Sequence, residues 1–248
     1  IGSLYHDDVM DEAVIRRQVP SVNARWGNLK AILAGDFLLA RASEIAASLG
    51  TEVAGLLAAT IGKLCRGQIS ELRTTFDPSR SEAAYFECID GKTASLFGTA
   101  CRIGAIVGQL ERSNVEQLTT YGSALGVVFQ IVDDLLDLTS TDSQLGKPAG
   151  HDLVEGVYSL PVIRTLARGD MASTELRGLL AQPLDAAKLD RALTIVRRGP
   201  GLSEALEVAR HYAHQARDMA GGLGHSAVAE AMAAAPLHLL DTLPEGIS

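Results

Sequence analysis

The sequence predicts an all-α fold. Ala and Leu, strong helix formers, dominate the chain. Period-two alternation of β-branched or aromatic residues is hard to find, and the apolar-periodic stretches are separated by Gly, Pro and Asp punctuation. With 248 residues, 47% of them apolar, the chain has ample material for a buried core. No repeat, low-complexity tract or Ser/Pro linker divides it, so it reads as one domain over 1–248.

The elements follow in order. Ile1-Gly2-Ser3-Leu4-Tyr5 has no N-cap or leader and reads as a helix entered midway, with an upstream segment missing. Asn28 to Leu49 is a long helix with Gly50 as its C-terminal cap. Thr51 to Leu72 is a second. Asp77-Pro78 makes a turn, and a helix restarting at Ser81-Glu82 runs to Gly91. Lys92 to Leu110 and Val115 to Leu138 come next, and Gly146-Lys147-Pro148-Ala149-Gly150 is the clearest loop. After two more helical stretches, Gly199-Pro200-Gly201 punctuates. Leu202 to Ala220 is amphipathic and ends at Gly221-Gly222. A last helix, near Ser226 to Leu240, should kink at Pro236. Trp26 and Phe37 read as core residues. Asp36 reads as a buried carboxylate in need of a partner.

Charge and cysteine usage exclude several function classes. The 22 Lys+Arg against 30 Asp+Glu give a net charge of -8, and no basic stripe offsets it, which argues against nucleic acid as a partner. No apolar run approaches the ~18–20 residues of a membrane span. Cys65, Cys88 and Cys101 lie far apart and outside any C-x-x-C pair. They read as reduced, buried small hydrophobes of a cytoplasmic protein, with neither a disulfide nor a zinc framework.

The strongest signal occurs twice: Asp7-Asp8-Val9-Met10-Asp11 and Asp133-Asp134-Leu135-Leu136-Asp137, both D-D-x-x-D. With 16 Asp in the chain, a shuffled sequence gives about 0.07 such matches, and two by chance about 0.002. On a helix Asp7 and Asp11 lie about 40° apart and Asp8 falls within the same ~100° arc; Gln130, Asp133, Asp134 and Asp137 share a similar arc. Three carboxylates on one side repel one another and call for a cation. Mg²⁺ suits them, since it takes hard oxygen ligands, typically one or two carboxylates together with substrate phosphates. No Cys or His completes a zinc set, and the spacing is not that of an EF-hand loop. Cationic flanks complete the pattern. Arg16-Arg17 follow the first motif, Lys92-Thr93 opens the helix between the two, and Lys147 sits in the glycine loop after the second. Carboxylates, metal, Arg and Lys together describe a diphosphate clamp. His211 and His214 read as exposed helix polar residues; His6 either tunes the first cluster or packs beside it.

These residues resemble the trans-polyprenyl diphosphate synthases, the polyprenyl synthetase family, and most of all its long-chain members. LYHDDVMDEAVIRRQVPSVNARWGN is similar to the family's first aspartate-rich region, GKTASLF to its Lys-Thr segment, and GVVFQIVDDLLDLTSTDSQLGKPAGHDLVEGVYSLP to its second. The resemblance covers roughly residues 1–165. It implies an isoprenoid-synthase-type helical bundle around a central cavity, usually a homodimer, with both motifs turned to that cavity. It further implies Asp7, Asp11 and Asp133 as direct Mg²⁺ ligands, with Asp8, Asp134 and Asp137 acting through water on the metal. Arg16, Lys92 and Lys147 would contact the allylic diphosphate and Arg17 that of isopentenyl diphosphate. Thr93 and Gln130 would lie near the reacting carbons. The reaction implied is ionisation of the allylic diphosphate, attack by the isopentenyl double bond on the allylic cation, and loss of a proton, with released pyrophosphate as base. Membrane contact would be at most peripheral.

Gly2 and Ser3 lie about one turn (~5.4 Å) before Asp7. Short-chain members of the family close the pocket here with bulky aromatics, so two small residues imply an open floor and a long product, roughly six to ten isoprene units. A geranylgeranyl- or farnesyl-type synthase, a class I terpene cyclase and a noncatalytic helical subunit are the alternatives. Three departures from the family stand out: Gln18 where Gly is usual, Val157 where a Lys is common, and no upstream Gly-Gly-Lys region for isopentenyl diphosphate.

Overall fold

The computed structural model describes residues 1–16, 19–139, 149–224 and 226–244. Their fold is helical, as expected, apart from one two-stranded ribbon. The chain forms two compact units, Ile1–Ala59 and Thr60–Ser248.

In the first unit, α1 (Gly2–Met10) carries the first aspartate motif. A ribbon of β1 (Ile15–Arg16) and β2 (Val19–Pro20), which no residue pattern announces, pairs Ile15 with Pro20 and Arg16 with Val19. Next come α2 (Val22–Trp26), capped by the Ser21 side chain, and α3 (Asn28–Ser48). Helices α1 and α3 pack through small residues. A Cβ on Gly2 would meet the Gly35 carbonyl at 3.0 Å, and one on Gly35 would meet His6 Nε2 at 2.4 Å. His6 uses that space to reach the Ile32 carbonyl (3.1 Å) and the Asp36 carboxylate (3.3 Å), so its role is packing and bonding to α3.

That choice of face corrects three expectations. Helix α3 buries Ala31, Gly35 and Ala46. Leu29, Leu33 and Phe37 lie about 200° from Ala31 and Gly35 on the helix and are exposed, Phe37 by 65%. Trp26 is exposed too and carries the Arg25 guanidinium over its ring, 4.8 Å from the centroid. Asp36 lies at the surface beside His6, with its side chain 60% exposed, and is not a buried carboxylate.

Helix α4 (Thr51–Arg73) leads into the second unit, after Gly50 ends α3 with φ of +116°. There α5 (Glu82–Ile89), capped by Ser81, continues through a π-helical turn (Asp90–Ala94) into α6 (Ser95–Val107). The break expected at Gly91–Lys92 is therefore a local change of winding and not a new helix. Helix α7 (Arg112–Thr139) packs along α6. Then follow α8 (His151–Val154), α9 (Leu160–Ala167), α10 (Met171–Leu180), α11 (Ala186–Arg198), α12 (Gly201–Gly221) and α13 (Ala227–Leu240). Pro236 lies inside α13. Asp170, Asp185 and Ser226 cap α10, α11 and α13 through their side chains. The main core joins Ile131, Leu135 and Leu138 of α7 to Leu160, Leu176, Val196 and Leu206 of the helices that follow.

Of the cysteines, only Cys88 is buried as expected; Cys101 is half-buried and Cys65 exposed. Among the described residues no helix is long and apolar enough to cross a membrane. His211 and His214 lie exposed on α12, His211 2.9 Å from the Gln215 amide.

Candidate active site

Around the first motif the chain turns back on itself. Asp8 is only 2% exposed, and a carboxylate this deep requires a cationic or donor partner. The ribbon provides it: Arg16 donates to Asp8 Oδ1 through Nε (2.8 Å) and Nη2 (2.6 Å). Asn23 of α2 donates to the carbonyls of Asp8 and Ala13, both at 3.0 Å, and the Ser21 hydroxyl also donates to Ala13. Asp7 is half-buried and Asp11 exposed. The three carboxylates of the motif thus divide by exposure. Arg16 keeps 41% of its side chain exposed while it holds Asp8. Gly2 is buried against Gly35, Leu38 and Leu39, which supplies a packing reason for its smallness; Ser3 is half-buried. Arg17 lies outside the described residues.

In the second unit two close helix approaches build the site. A Cβ on Gly126 of α7 would stand 2.6 Å from the Ala94 Cα, so only glycine lets the π turn and α6 come this near. A Cβ on Gly67 of α4 would stand 2.8 Å from the Lys92 amide nitrogen, and one on Gly91 would meet the Lys63 carbonyl at 2.9 Å. π-Helical turns are rare and gather at functional sites, and this one carries Lys92 and Thr93. Lys92 Nζ donates to Glu71 Oε1 at 2.6 Å, and the Cys88 thiol donates to Glu71 Oε2 at 3.4 Å. Burial and the neighbouring Glu71 push the Cys88 thiol up to about 12, so it stays protonated.

Thr93 Oγ1 donates to Gln130 Oε1 at 2.8 Å, Gln130 Nε2 donates to Asp134 Oδ1 at 2.9 Å, and the Tyr85 hydroxyl donates to Asp134 Oδ2 at 2.6 Å. Asp134 is 4% exposed. Burial raises its carboxyl to about 7, against the hydrogen bonds from Tyr85 and Gln130, which favour the ionised form. Burial and the facing Asp134 hold the Tyr85 phenol well above its ordinary value. Asp137 is buried and accepts from the Asp152 amide at 3.2 Å; Asp133 is exposed. Lys147 lies outside the described residues.

Sequence spacing thus places three carboxylates of each motif on one arc, but the structure turns them to different tasks. Among the described residues no three His, Cys, Asp or Glu side chains form a group that could hold a metal ion. Two residues escaped the sequence reading. Glu71 lies in R-G-Q-I-S-E without any motif to mark it. Tyr85 stands seven residues before Lys92, two turns back on nearly the same face, and that spacing could have flagged it.

Comparison with known proteins decides the family. A polyprenyl synthetase family model matches residues 1–196. The chain belongs to the polyprenyl synthetase family. A polyprenyl synthetase relative, the nonaprenyl diphosphate synthase of Mycobacterium tuberculosis, is 43% identical over 218 residues, which cover 88% of this chain and 65% of that protein. The crystal structure of a decaprenyl diphosphate synthase from Rhodobacter capsulatus superposes with a TM-score of 0.90 at 30% identity, covering 98% of this chain and 76% of that one. A polyprenyl synthase from Caulobacter crescentus, solved with calcium and isoprenyl diphosphate, also gives 0.90 at 30% identity, covering 98% and 75%. This polyprenyl synthetase chain therefore spans about two thirds to three quarters of the length of these relatives.

Proposed function

We propose that the chain carries the catalytic machinery of a long-chain trans-polyprenyl diphosphate synthase, joining isopentenyl diphosphate head to tail to an allylic diphosphate primer. The observation that carries this is the packing of the Lys92-Thr93 π turn against Gln130 and the second aspartate motif: a cation and a polar cluster beside carboxylates. The nonaprenyl and decaprenyl names of relatives support a long product. The small Ser3 supports it from the other motif.

Mg²⁺ fits the donor chemistry. Asp7, Asp11 and Asp133 are the more accessible carboxylates, while Asp8 and Asp134 are committed to Arg16, Tyr85 and Gln130. One or two accessible carboxylates per motif is the usual protein share of a magnesium site completed by phosphate oxygens. When bound, the metal would neutralise negative charge on the leaving diphosphate. A structure solved with a divalent metal and isoprenyl diphosphate exists for the Caulobacter relative. Asp8, Asp134 and Asp137 would hold the neighbouring helices and cations in place.

The remaining roles belong to this chain's own side chains. Lys92, with Arg16 and Lys147, would bind the allylic diphosphate and stabilise the charge that grows as its C–O bond breaks. Arg17 would hold isopentenyl diphosphate. The Thr93 and Gln130 oxygens would face the allylic carbon as it becomes cationic, and the apolar surroundings must keep water from it. No nucleophilic Ser or Cys is required. The proposal includes a cytoplasmic homodimer with at most peripheral membrane contact; the exposed Leu29, Leu33 and Phe37 of α3 are a surface that pairing would cover.

The test is incubation of the protein with radiolabelled isopentenyl diphosphate, an allylic primer and Mg²⁺. Elongated polyprenyl diphosphate is expected. Cyclic hydrocarbon would instead indicate a cyclase, and turnover only with a partner subunit would indicate a noncatalytic role. Ser3→Phe is expected to shorten the product; unchanged length would contradict the pocket-floor role of Ser3.

A further inference from the structure

We propose that Tyr85 is a positioning residue for prenyl transfer, setting the Thr93 hydroxyl through Asp134 and Gln130; the inference rests on the synthase reading above. Three hydrogen bonds connect the four side chains in one line, Tyr85 to Asp134 (2.6 Å), Gln130 to Asp134 (2.9 Å) and Thr93 to Gln130 (2.8 Å). While Asp134 is ionised, their directions are forced. Tyr85 occupies one oxygen of Asp134, so the other is the acceptor left for Gln130, which must turn its amide nitrogen there. A flipped amide would set its oxygen against the carboxylate. Gln130 Oε1 is thereby aimed at Thr93, whose single proton it takes.

The consequence is chemical. With its proton committed to Gln130, Thr93 Oγ1 presents only lone pairs on its other sides, next to the π turn that holds Lys92. An oxygen fixed in this sense offers negative charge to a carbon that becomes cationic, and needs no reorganisation as the charge develops. Tyr85 is itself held in place. It is 2% exposed, its ring meets Phe86 edge-on at 5.3 Å, and the Arg80 guanidinium, which donates to the Tyr158 carbonyl at 3.1 Å, stands 5.7 Å from it. Removing the phenol oxygen leaves a buried carboxylate oxygen without its donor and frees the Gln130 amide to turn. Tyr85 touches neither substrate in this scheme.

The test is a double-mutant cycle in the full chain, with steady-state kinetics for both diphosphates. Tyr85→Phe is expected to lower kcat at least about tenfold and to leave both KM values within about twofold. In a Thr93→Ala background the same change is expected to lower kcat by less than about twofold, because the relay then has no end to act on. Equal losses in the two backgrounds, a kcat within twofold of the wild type, or a change confined to KM would overturn the proposal. Gln130→Glu, which keeps the side-chain volume but cannot donate to Asp134, gives a second entry to the cycle if Tyr85→Phe does not fold. Wild-type protein without turnover would reject the synthase reading and the catalytic role with it. The relay itself would then be read by hydrogen exchange of the Gln130 side-chain amide, expected at least about tenfold faster in Tyr85→Phe; an unchanged rate would reject the relay as well.

Discussion

Glu71, a half-buried carboxylate with 15% of its side chain exposed, holds the lysine that we propose to bind the substrate. It accepts from both Lys92 and the Cys88 thiol, which keeps the Lys92 ammonium in one place while 29% of that side chain remains exposed. Replacing it with Gln retains the volume and loses the charge. Glu71→Gln is expected to raise KM for the allylic diphosphate by about tenfold, the equivalent of ~1.4 kcal/mol of lost charge-assisted bonding; an unchanged KM would show that Lys92 is positioned by other means. The cysteines provide a chemical check on the same corner. Cys88 is buried and its thiol is raised to about 12, so alkylation at pH 8 is expected to label the exposed Cys65 first and to leave Cys88 unmodified, as mass spectrometry of the peptides would show. Asp134 carries a pH signature of its own. Its folded value, about 7, lies above the ordinary 3.8, so the folded state holds that proton more tightly. The resulting stabilisation is complete below pH ~3.8 and disappears as pH rises through ~7. In metal-free protein the infrared band of the protonated Asp134 carboxyl is expected to vanish with a midpoint near pH 7, and a midpoint near 4 would show that the site is solvated.

At the scale of helices, glycine decides which side chains meet. Gly126 allows α6 and the π turn to approach α7 until Thr93 and Gln130 bond. Gly126→Ala would place its Cβ against the Ala94 Cα and is expected to lower stability by about 1–3 kcal/mol, with loss of activity in step; denaturant unfolding alongside kinetics checks both. The helices and their order were legible because period, caps and glycine punctuation are local. Both aspartate motifs stood out in the sequence because their carboxylates recur at helical spacing, whereas the roles expected of Lys92, Thr93 and Gln130 came from the family resemblance. Trp26 and Phe37 were misread because apolar character does not say which face of a helix is buried. On α3 the small face, Ala31 and Gly35, packs against α1, and the large residues point outward. Asp36 was misread for the same reason. The Arg16–Asp8 pair depends on a short ribbon that no local pattern announced, and Tyr85 and Glu71 on contacts 49 and 21 residues apart in sequence.

At the scale of the whole molecule, we propose that the two acidic motifs, each on its own helix, serve one reaction, the accessible carboxylates of each binding metal and the buried ones holding the fold. Helices provide the rigid frame, and the basic residues near each motif compensate a chain whose net charge is -8. The measurement that tests this most directly is the length of labelled product formed from isopentenyl diphosphate and an allylic primer, with and without Mg²⁺, in wild type and in Asp7→Ala and Asp133→Ala. Long polyprenyl diphosphate that requires Mg²⁺ and is lost in both variants is the predicted result. Full activity in either variant, or no chain elongation by the wild type under any metal condition, would contradict the account.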